Sequence, residues 1–324
     1  MKIGIVTPAP AGSTHGNRIT ALRWAKILKR LGYRVFISQT YKGESCDLLI
    51  ALHARRSYRS IERFHRERPE APIIVALTGT DLYRDIASNR SARASLGLAT
   101  RIVVLQPKAL EELLPTAQVR ARVIYQSVEP FSQMPNAPSA RRNFDVCVIG
   151  HLRAVKDPFR AALAARSLPA SSRIRILQIG GAMTKAMAAR AQAEMRRNPL
   201  YQWLGEQTPS RVRRILASCQ LCVISSRMEG GANVISEAIM EGIPILASRV
   251  DGNVGILGPK YPGLFNVTDT RELASLLQRA ESDADFRKEL RSRIKELAPL
   301  FDPKREQNSW AELLRELGVD KRKR

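Results

Sequence analysis

The sequence of residues 221–238 is LCVISSRMEGGANVISEA. Its apolar start predicts a buried strand, its two glycines predict a loop, and the pattern from Asn233 onward predicts a helix. Backbone N–H groups in such a loop and at a helix start favour an anion, and glycine lets a phosphate approach closely. Glu237 would lie about one turn into the helix, where its carboxylate can accept hydrogen bonds from a vicinal diol. The alternative is that Glu229 and Glu237 are an ordinary loop residue and a solvated helix residue.

The same alternation of strand and helix extends over the whole chain. Short runs rich in valine, isoleucine and leucine alternate with amphipathic segments, which is typical of βαβ units and a parallel sheet. Residues 126–143 contain three prolines and no apolar periodicity, and they predict an interdomain linker. We therefore predict an α/β protein with two Rossmann-like parallel-sheet domains, residues 1–137 and 138–302. Such sheets bind ligands at the carboxyl ends of their strands, so a ligand is expected in a cleft where the two domains face each other.

Three further strand-end segments carry residues suited to a ligand. Residues 150–158, GHLRAVKDP, offer Arg153 and Lys156 as cationic partners of a diphosphate. Residues 204–206, LGE, follow another predicted strand, and residues 252–255, GNVG, predict a loop of small residues.

The net charge is the most unusual feature of the composition. The 324 residues include 53 Lys and Arg against 30 Asp and Glu, a formal charge of +23. Such an excess suggests nucleic acid, a membrane surface or small anions as partners. The charge is divided almost evenly between residues 1–137 and 138–324, and aromatic residues are only 6%. Because nucleic-acid binding favours aromatic residues among the basic ones, we expect no nucleic-acid partner and a mostly solvated, arginine-rich surface.

The cysteines and the apolar runs of the sequence argue against a metal-binding protein, a membrane protein and a secreted protein. Cys219 and Cys222 have CxxC spacing, but they have no second pair and no nearby histidine. We therefore predict buried strand cysteines at Cys222 and Cys147, and no metal site. The apolar runs are far shorter than the roughly 18 residues of a membrane span. The apolar start of the chain is too short for a signal peptide, so a cytoplasmic protein is expected.

In this order, these elements resemble the GT-B glycosyltransferases, in particular the GT4-like nucleotide-sugar family whose signature is two glutamates separated by seven residues. Glu229 and Glu237 have that spacing. The resemblance covers the whole chain and includes a C-terminal helix, residues 303–324, which in the family crosses back to the first domain. It implies hexosyl or N-acetylhexosaminyl transfer from a nucleotide sugar, without a metal ion or another cofactor.

Several strings are similar to one subgroup, which contains the selenosugar synthase of selenoneine biosynthesis. They lie at residues 7–18, 150–159, 203–206, 229–237 and 252–258. This resemblance implies that a sugar, N-acetylglucosamine, passes from a UDP-sugar to the selenium of selenophosphate. Both substrates are small anions, so a few cations would suffice to bind them.

The resemblance also implies roles for particular residues, with Lys156 at the donor diphosphate and Glu237 at the ribose. The residues expected to bind the donor are Arg153, Lys156, Gly205, Gly230, Gly231, Ala232, Asn233, Val234 and Glu237. The residues expected to bind the acceptor are Gly12, Ser13, His15, Asn17, Arg18 and His151. The residues expected to act in catalysis are Glu229, His15 and Asp81.

Two positions depart from the wider family pattern. His151 stands where the family often has an arginine, for which Arg153 can substitute, and residues 78–81, TGTD, stand where a histidine often approaches the sugar. These departures leave the choice between inversion and retention open. Two alternatives are also open: a GT-B enzyme with a hydroxyl acceptor in cell-envelope or polysaccharide synthesis, and a non-enzymatic nucleic-acid-binding protein.

Overall fold

The computed structural model describes residues 1–130 and 143–319, which form two compact units. Unit 1 contains Met1–Ser127, Glu229–Gly231 and the segment that begins at Leu300, and unit 2 contains Val128–Met228 and Ala232–Pro299. The boundary predicted between residues 137 and 138, and the end of the predicted C-terminal helix, lie outside the described residues. The limits of the two domains therefore stay a prediction.

A six-stranded parallel sheet forms the centre of unit 1. Its strands are β1 (Lys2–Val6), β2 (Arg34–Ser38), β3 (Leu48–Leu52), β4 (Ile73–Ala76), β5 (Arg101–Val104) and β6 (Ala121–Val123). Their order is β2-β1-β3-β4-β5-β6. Every residue of β3 is buried, as expected for a strand covered on both faces. Because β1 pairs with both β2 and β3, the strand order reverses between β1 and β3, and open α/β sheets bind ligands at such a switch point.

Helices connect these strands. They are α1 (Gly16–Arg30), α2 (Tyr58–Glu67), α3 (Ile86–Ser88), α4 (Arg90–Leu98) and α5 (Pro115–Gln118), with a π-helical turn at Asp81–Asp85 and a 3₁₀ turn at Pro107–Leu110. On α1 the buried residues recur at helical spacing, and basic residues occupy its last turn, where they complement the helix dipole.

Unit 2 contains a second parallel sheet of six strands. They are β7 (Phe144–Ile149), β8 (Ile174–Ile179), β9 (Tyr201–Trp203), β10 (Leu221–Ile224), β11 (Ile245–Ser248) and β12 (Leu264–Phe265). Their order is β12-β11-β10-β7-β8-β9, so the switch point lies between β7 and β10. The two sheets confirm the predicted α/β fold. Cys147 and Cys222 are register partners on β7 and β10, and all four cysteines are buried and free, as predicted for the strand residues.

The helices of unit 2 correct one prediction. They are α6 (Arg160–Ala165), α7 (Lys185–Arg197), α8 (Pro209–Ser218), α9 (Asn233–Met240), α10 (Asp251–Leu257), α11 (Thr270–Ser282) and α12 (Ala284–Leu297). The prediction of a loop at residues 252–255 was wrong, because these residues lie inside α10. The low helix propensity of the glycines is overridden by packing: Asn253 is fully buried, and its amide donates to the Ser248 carbonyl at 2.9 Å.

The last helix, α13 (Pro303–Glu316), belongs to unit 1. Its buried Glu306 accepts hydrogen bonds from Trp24 Nε1 at 2.8 Å and from the Ser127 amide at 2.8 Å. One turn further on, Trp310 packs edge-on against Trp24 with ring centroids 4.8 Å apart. These contacts join α13 to α1 and to the segment that follows β6.

The helices of the described part of the chain are short. Among residues 1–130 and 143–319, none of them combines the length and the apolar character that crossing a membrane requires.

Candidate functional site

In unit 2 the loops that follow β7 and β10 are bound together at the switch point. The Arg227 amide donates to the Val155 carbonyl at 2.8 Å, and the Ser225 hydroxyl donates to the Asp157 carbonyl at 2.9 Å. These bonds fix the segment that carries Lys156 beside the segment that leads to the glutamate pair. The sequence placed both segments at strand ends, but only the strand order makes them neighbours.

The Lys156 segment is a tight turn. Ala154–Lys156 is a 3₁₀ turn, and Asp157 follows it in the left-handed conformation, with φ of 43°. The Asp157 carboxylate lies 2.9 Å from the Arg160 guanidinium, which anchors the turn to the start of α6. Arg153 is exposed and Lys156 is half-buried. The turn therefore presents two cations near the carboxyl end of β7.

A close approach of two backbones holds the loops after β7 and β8 together. A β-carbon built on Gly180 would lie 2.5 Å from the carbonyl carbon of Gly150, so only glycine fits. The Gly180 amide donates to the Gly205 carbonyl at 2.8 Å, and Trp203 Nε1 donates to the Gly180 carbonyl at 2.8 Å. Gly180 is not among the site residues predicted from the sequence, although a pair of glycines directly after a strand can indicate such a close approach.

His151 lies in the same group of loops. Its Nδ1 would be 3.5 Å from a β-carbon at Gly181, and Glu206 Oε2 would be 3.1 Å from that same β-carbon. The side chains of His151 and Glu206 therefore both lie next to Gly181, which has no side chain of its own. Gly205, with φ of 69°, adopts a conformation that favours glycine.

The start of α9 lies at the carboxyl end of β10. Ala232 occupies the N-cap position and has no side chain that could cap the helix, although N-cap residues usually do so. Asn233 and Val234 form the first turn and are half-buried, and Glu237 is half-buried one turn later. The predicted helix start is therefore present, with Glu237 on the helix that follows the loop, and the binding of an anion and a diol there stays a prediction.

The residues Glu229–Gly231 cluster with unit 1. Glu229 is only 8% exposed. A β-carbon on Gly230 would lie 2.6 Å from the Thr78 carbonyl, and one on Gly231 would lie 2.7 Å from the Leu105 β-carbon. Both glycines are therefore required by close packing, a reason that the sequence did not reveal.

Asp81 is fully buried at the start of the π-helical turn. One carboxylate oxygen accepts from the amides of Thr78 at 3.0 Å and Gly79 at 2.9 Å, and the other accepts from the Ala54 amide at 2.9 Å. Both oxygens thus hold the loops that follow β3 and β4. A part for Asp81 in catalysis stays a prediction.

The loop after β1 leads into α1. Gly12 is exposed with φ of 78°, and Ser13 donates from its hydroxyl to the Pro10 carbonyl at 2.9 Å. His15 precedes the helix in an extended conformation. Asn17 and Arg18 lie in the first helical turn, so they are held by the helix and not by a loop. Arg18 Nε is buried without a hydrogen-bond partner among the described residues.

His53 lies directly after β3. The structure buries it to 3% exposure with φ of 73°, a region that non-glycine residues seldom adopt. Its Nε2 lies 3.1 Å from the Thr80 hydroxyl, and the Arg56 amide donates to its Nδ1 at 3.4 Å. Burial lowers the pKa of His53 below its ordinary value, so the ring is neutral near pH 7.

The described residues contain no group of three or more His, Cys, Asp or Glu side chains arranged to hold a metal ion. The Asp283 side chain accepts from the Phe286 amide at 2.9 Å and caps α12.

Two Rossmann-like sheets, with glycine-rich loops and cations at their strand ends, define the class of GT-B glycosyltransferases. The chain belongs to the group 1 glycosyl transferases, since the model of that family matches residues 132–298, just over half of its length.

Solved structures agree in fold. HepE of Anabaena, in complex with UDP and glucose, aligns with a TM-score of 0.78 and 17% identity over 98% of this chain and 100% of HepE. Sucrose-phosphate synthase of Thermosynechococcus elongatus aligns with a TM-score of 0.76 and 16% identity over 98% of this chain and 99% of that one. A trehalose-6-phosphate protein of E. coli bound to UDP-2-fluoro glucose aligns with a TM-score of 0.71 and 12% identity over 97% of this chain and 99% of that one. Because the sequence identities are this low, the three structures show that the fold is shared and nothing more.

Proposed function

We propose that this glycosyltransferase transfers N-acetylglucosamine from UDP-N-acetylglucosamine to the selenium of selenophosphate. The family is that of group 1 glycosyl transferases, and the structural neighbour HepE is known in complex with UDP and with UDP-glucose. Those facts support a UDP-sugar as the donor. The choice of selenophosphate rests on the sequence strings similar to the selenosugar synthases and on the geometry of the loops after β3 and β4.

On the donor side, we assign the diphosphate to Lys156 and Arg153, on the turn after β7. The ribose hydroxyls are assigned to Glu237, whose carboxylate accepts well from a vicinal diol. Backbone amides between Gly230 and Val234 would bind phosphate oxygens, and Gly205 would border the nucleotide. Glu229 is assigned to the sugar that is transferred. No metal ion or other cofactor enters this scheme.

On the acceptor side, the observation that carries the proposal is the engagement of His53, which follows β3, and of Asp81, which follows β4. Both oxygens of Asp81 accept from backbone amides, and Nδ1 of His53 accepts from the Arg56 amide. A hydroxyl acceptor generally needs a base to remove its proton. Selenophosphate is already anionic and its selenium is a strong nucleophile, so it needs cations that hold it rather than a base.

The acceptor would be bound by residues of the loop after β1 and the first turn of α1. His15 and Arg18 supply positive charge or hydrogen-bond donors, and Gly12, Ser13 and Asn17 complete the segment; His151 is the candidate from unit 2. In the reaction, selenium forms a bond to the sugar C1 carbon. The C1–O bond to the diphosphate breaks, and its electron pair leaves with UDP.

The direct test is UDP release by the purified protein. UDP-N-acetylglucosamine and UDP-glucose are each combined with selenophosphate, thiophosphate, an alcohol acceptor or no acceptor, and the product is analysed by mass spectrometry. We expect release with selenophosphate, weaker release with thiophosphate, a carbon–selenium product, and no change on adding EDTA. Release with the alcohol alone would favour the hydroxyl-acceptor alternative. Binding of DNA or RNA without binding of UDP would favour the nucleic-acid alternative.

Glu237→Ala is expected to weaken UDP binding about 10- to 100-fold, because hydrogen bonds to a charged carboxylate contribute about 1.5–3 kcal/mol. Isothermal titration calorimetry with UDP measures this. The matched control is Glu289→Ala, since Glu289 is exposed on α12 of the same unit. Unchanged UDP affinity in the Glu237 variant would rule out the ribose role.

Arg18→Ala is expected to raise the apparent KM for selenophosphate by about tenfold or more while the KM for the UDP-sugar stays within about twofold. The control is Arg30→Ala, at the other end of α1. If the acceptor KM of the Arg18 variant equals that of the Arg30 variant, Arg18 does not bind the acceptor.

A further inference from the structure

His53 is held in an unusual backbone conformation at the switch point of unit 1. It follows β3, which lies next to β1, and ligands of open α/β sheets bind where the strand order reverses. Its φ of 73° costs conformational energy, and such strain persists where the surroundings impose it, often at functional sites. No part of the proposed donor or acceptor binding uses this residue. Its conformation and burial therefore call for a separate explanation.

The contacts of His53 favour one tautomer of its ring. The Arg56 amide donates to Nδ1 at 3.4 Å and is closer than the Asp81 carboxylate oxygen at 3.9 Å, so Nδ1 is assigned as the unprotonated acceptor. In the neutral ring the proton is then on Nε2, which donates to the Thr80 hydroxyl oxygen 3.1 Å away. Because that oxygen accepts from the histidine, the Thr80 proton is directed elsewhere. The threonine hydroxyl is thus left as a donor.

The Thr80 hydroxyl can donate a hydrogen bond to a group outside its own loop. It occupies the N-cap position of the π-helical turn, yet its side chain makes no capping bond. Among the described residues, His53 is the only recorded hydrogen-bond partner of its hydroxyl. Thr80 is half-buried, and the adjoining residues Thr78 and Gly79 lie against the backbone of Gly230, next to Glu229. π-helical turns of this kind are frequent at functional sites.

We infer that His53 is a positioning residue that orients the Thr80 hydroxyl to donate a hydrogen bond to a substrate oxygen. The inference rests on the proposed function. The oxygen belongs either to a hydroxyl of the transferred sugar or to the phosphate of the acceptor, since both present the same accepting chemistry.

Thr80→Val removes the hydroxyl and keeps the shape, whereas Thr80→Ser keeps the hydroxyl. His53→Asn removes the ring but tolerates positive φ, because asparagine adopts the left-handed region more readily than most residues. Thr116→Val, at an exposed threonine on α5, is the matched control. Steady-state kinetics with both substrates, UDP affinity and the thermal midpoint are measured for each variant and for the double variant His53→Asn with Thr80→Val.

We expect kcat/KM to fall about 10- to 100-fold in Thr80→Val and in His53→Asn, with UDP affinity unchanged, and Thr80→Ser to restore most of the activity. The double variant should be no worse than Thr80→Val alone, because His53 acts through that hydroxyl. The substrate whose KM rises identifies the oxygen. The inference would be overturned if the double variant lost kcat/KM by the product of the two single losses. It would also be overturned if Thr80→Val were as active as Thr116→Val.

The protonation of the ring is tested without turnover. In ¹⁵N NMR spectra of labelled protein near pH 7, Nε2 of His53 should be protonated and Nδ1 should not. A proton on Nδ1 would overturn the inference whether or not sugar transfer is found. Failure of the wild-type protein to use any UDP-sugar would instead overturn the proposed function.

Discussion

Gly180→Ala is expected to abolish most sugar transfer and to lower the free energy of unfolding by about 3–5 kcal/mol. A β-carbon there would lie 2.5 Å from the Gly150 carbonyl carbon and 2.8 Å from the His151 amide nitrogen. These atoms belong to the backbone, so they cannot rotate away as the end of a side chain could. The φ of 143° adds strain for any residue with a β-carbon.

Activity should fall together with stability, because Gly150 begins the loop that carries Lys156. Displacing that loop moves the cations away from the position proposed for the diphosphate. The matched control is Gly242→Ala, since Gly242 has φ of 67° but open space around it, and strain alone costs about 1–2 kcal/mol. Denaturant unfolding and UDP release measure both effects. If Gly180→Ala and Gly242→Ala had equal free energies of unfolding and equal rates of UDP release, the close approach of the two backbones would not be the cause of the predicted losses.

Glu306→Ala is expected to destabilise unit 1 by about 3–5 kcal/mol, the range for breaking a buried charged network. Glu306 is 2% exposed and accepts from the Trp24 indole, from the amide and hydroxyl of Ser127, and from Arg23. Alanine would remove the acceptor of the buried Trp24 indole and of the Ser127 amide and hydroxyl, and each orphaned buried group costs about 1–3 kcal/mol. The expected loss is therefore a loss of stability in the packing of α13.

Tryptophan fluorescence during urea unfolding measures this effect, because Trp24 and Trp310 lie in contact in unit 1. Glu312→Ala is the control, since Glu312 is exposed on the same helix. The unfolding midpoint of Glu306→Gln should lie between those of Glu306→Ala and Glu312→Ala, because the amide oxygen can still accept a hydrogen bond but the charge is lost. A Glu306→Ala midpoint equal to that of Glu312→Ala would contradict the prediction.

The strands were the most predictable part of the fold. Central strands such as β3 and β10 are apolar runs in which every residue is buried, so they are recognisable without their neighbours. Helix α9 begins at Asn233, as its sequence pattern predicts. The π-helical turn at Asp81–Asp85 was not predicted, because Asp81 holds it. That turn depends on backbone donors from the loops after two strands.

The sequence by itself determined the two parallel sheets, the family and the list of candidate ligand-binding residues. These follow from local apolar patterns and from the spacing of Glu229 and Glu237, which need no knowledge of distant contacts. Only the tertiary structure decided that Gly180 and Gly230 must be glycines, that both oxygens of Asp81 are occupied, and that His53 lies within hydrogen-bond distance of Thr80. Those properties arise from atoms that are remote in sequence and meet only when the strands pair, so no local pattern encodes them.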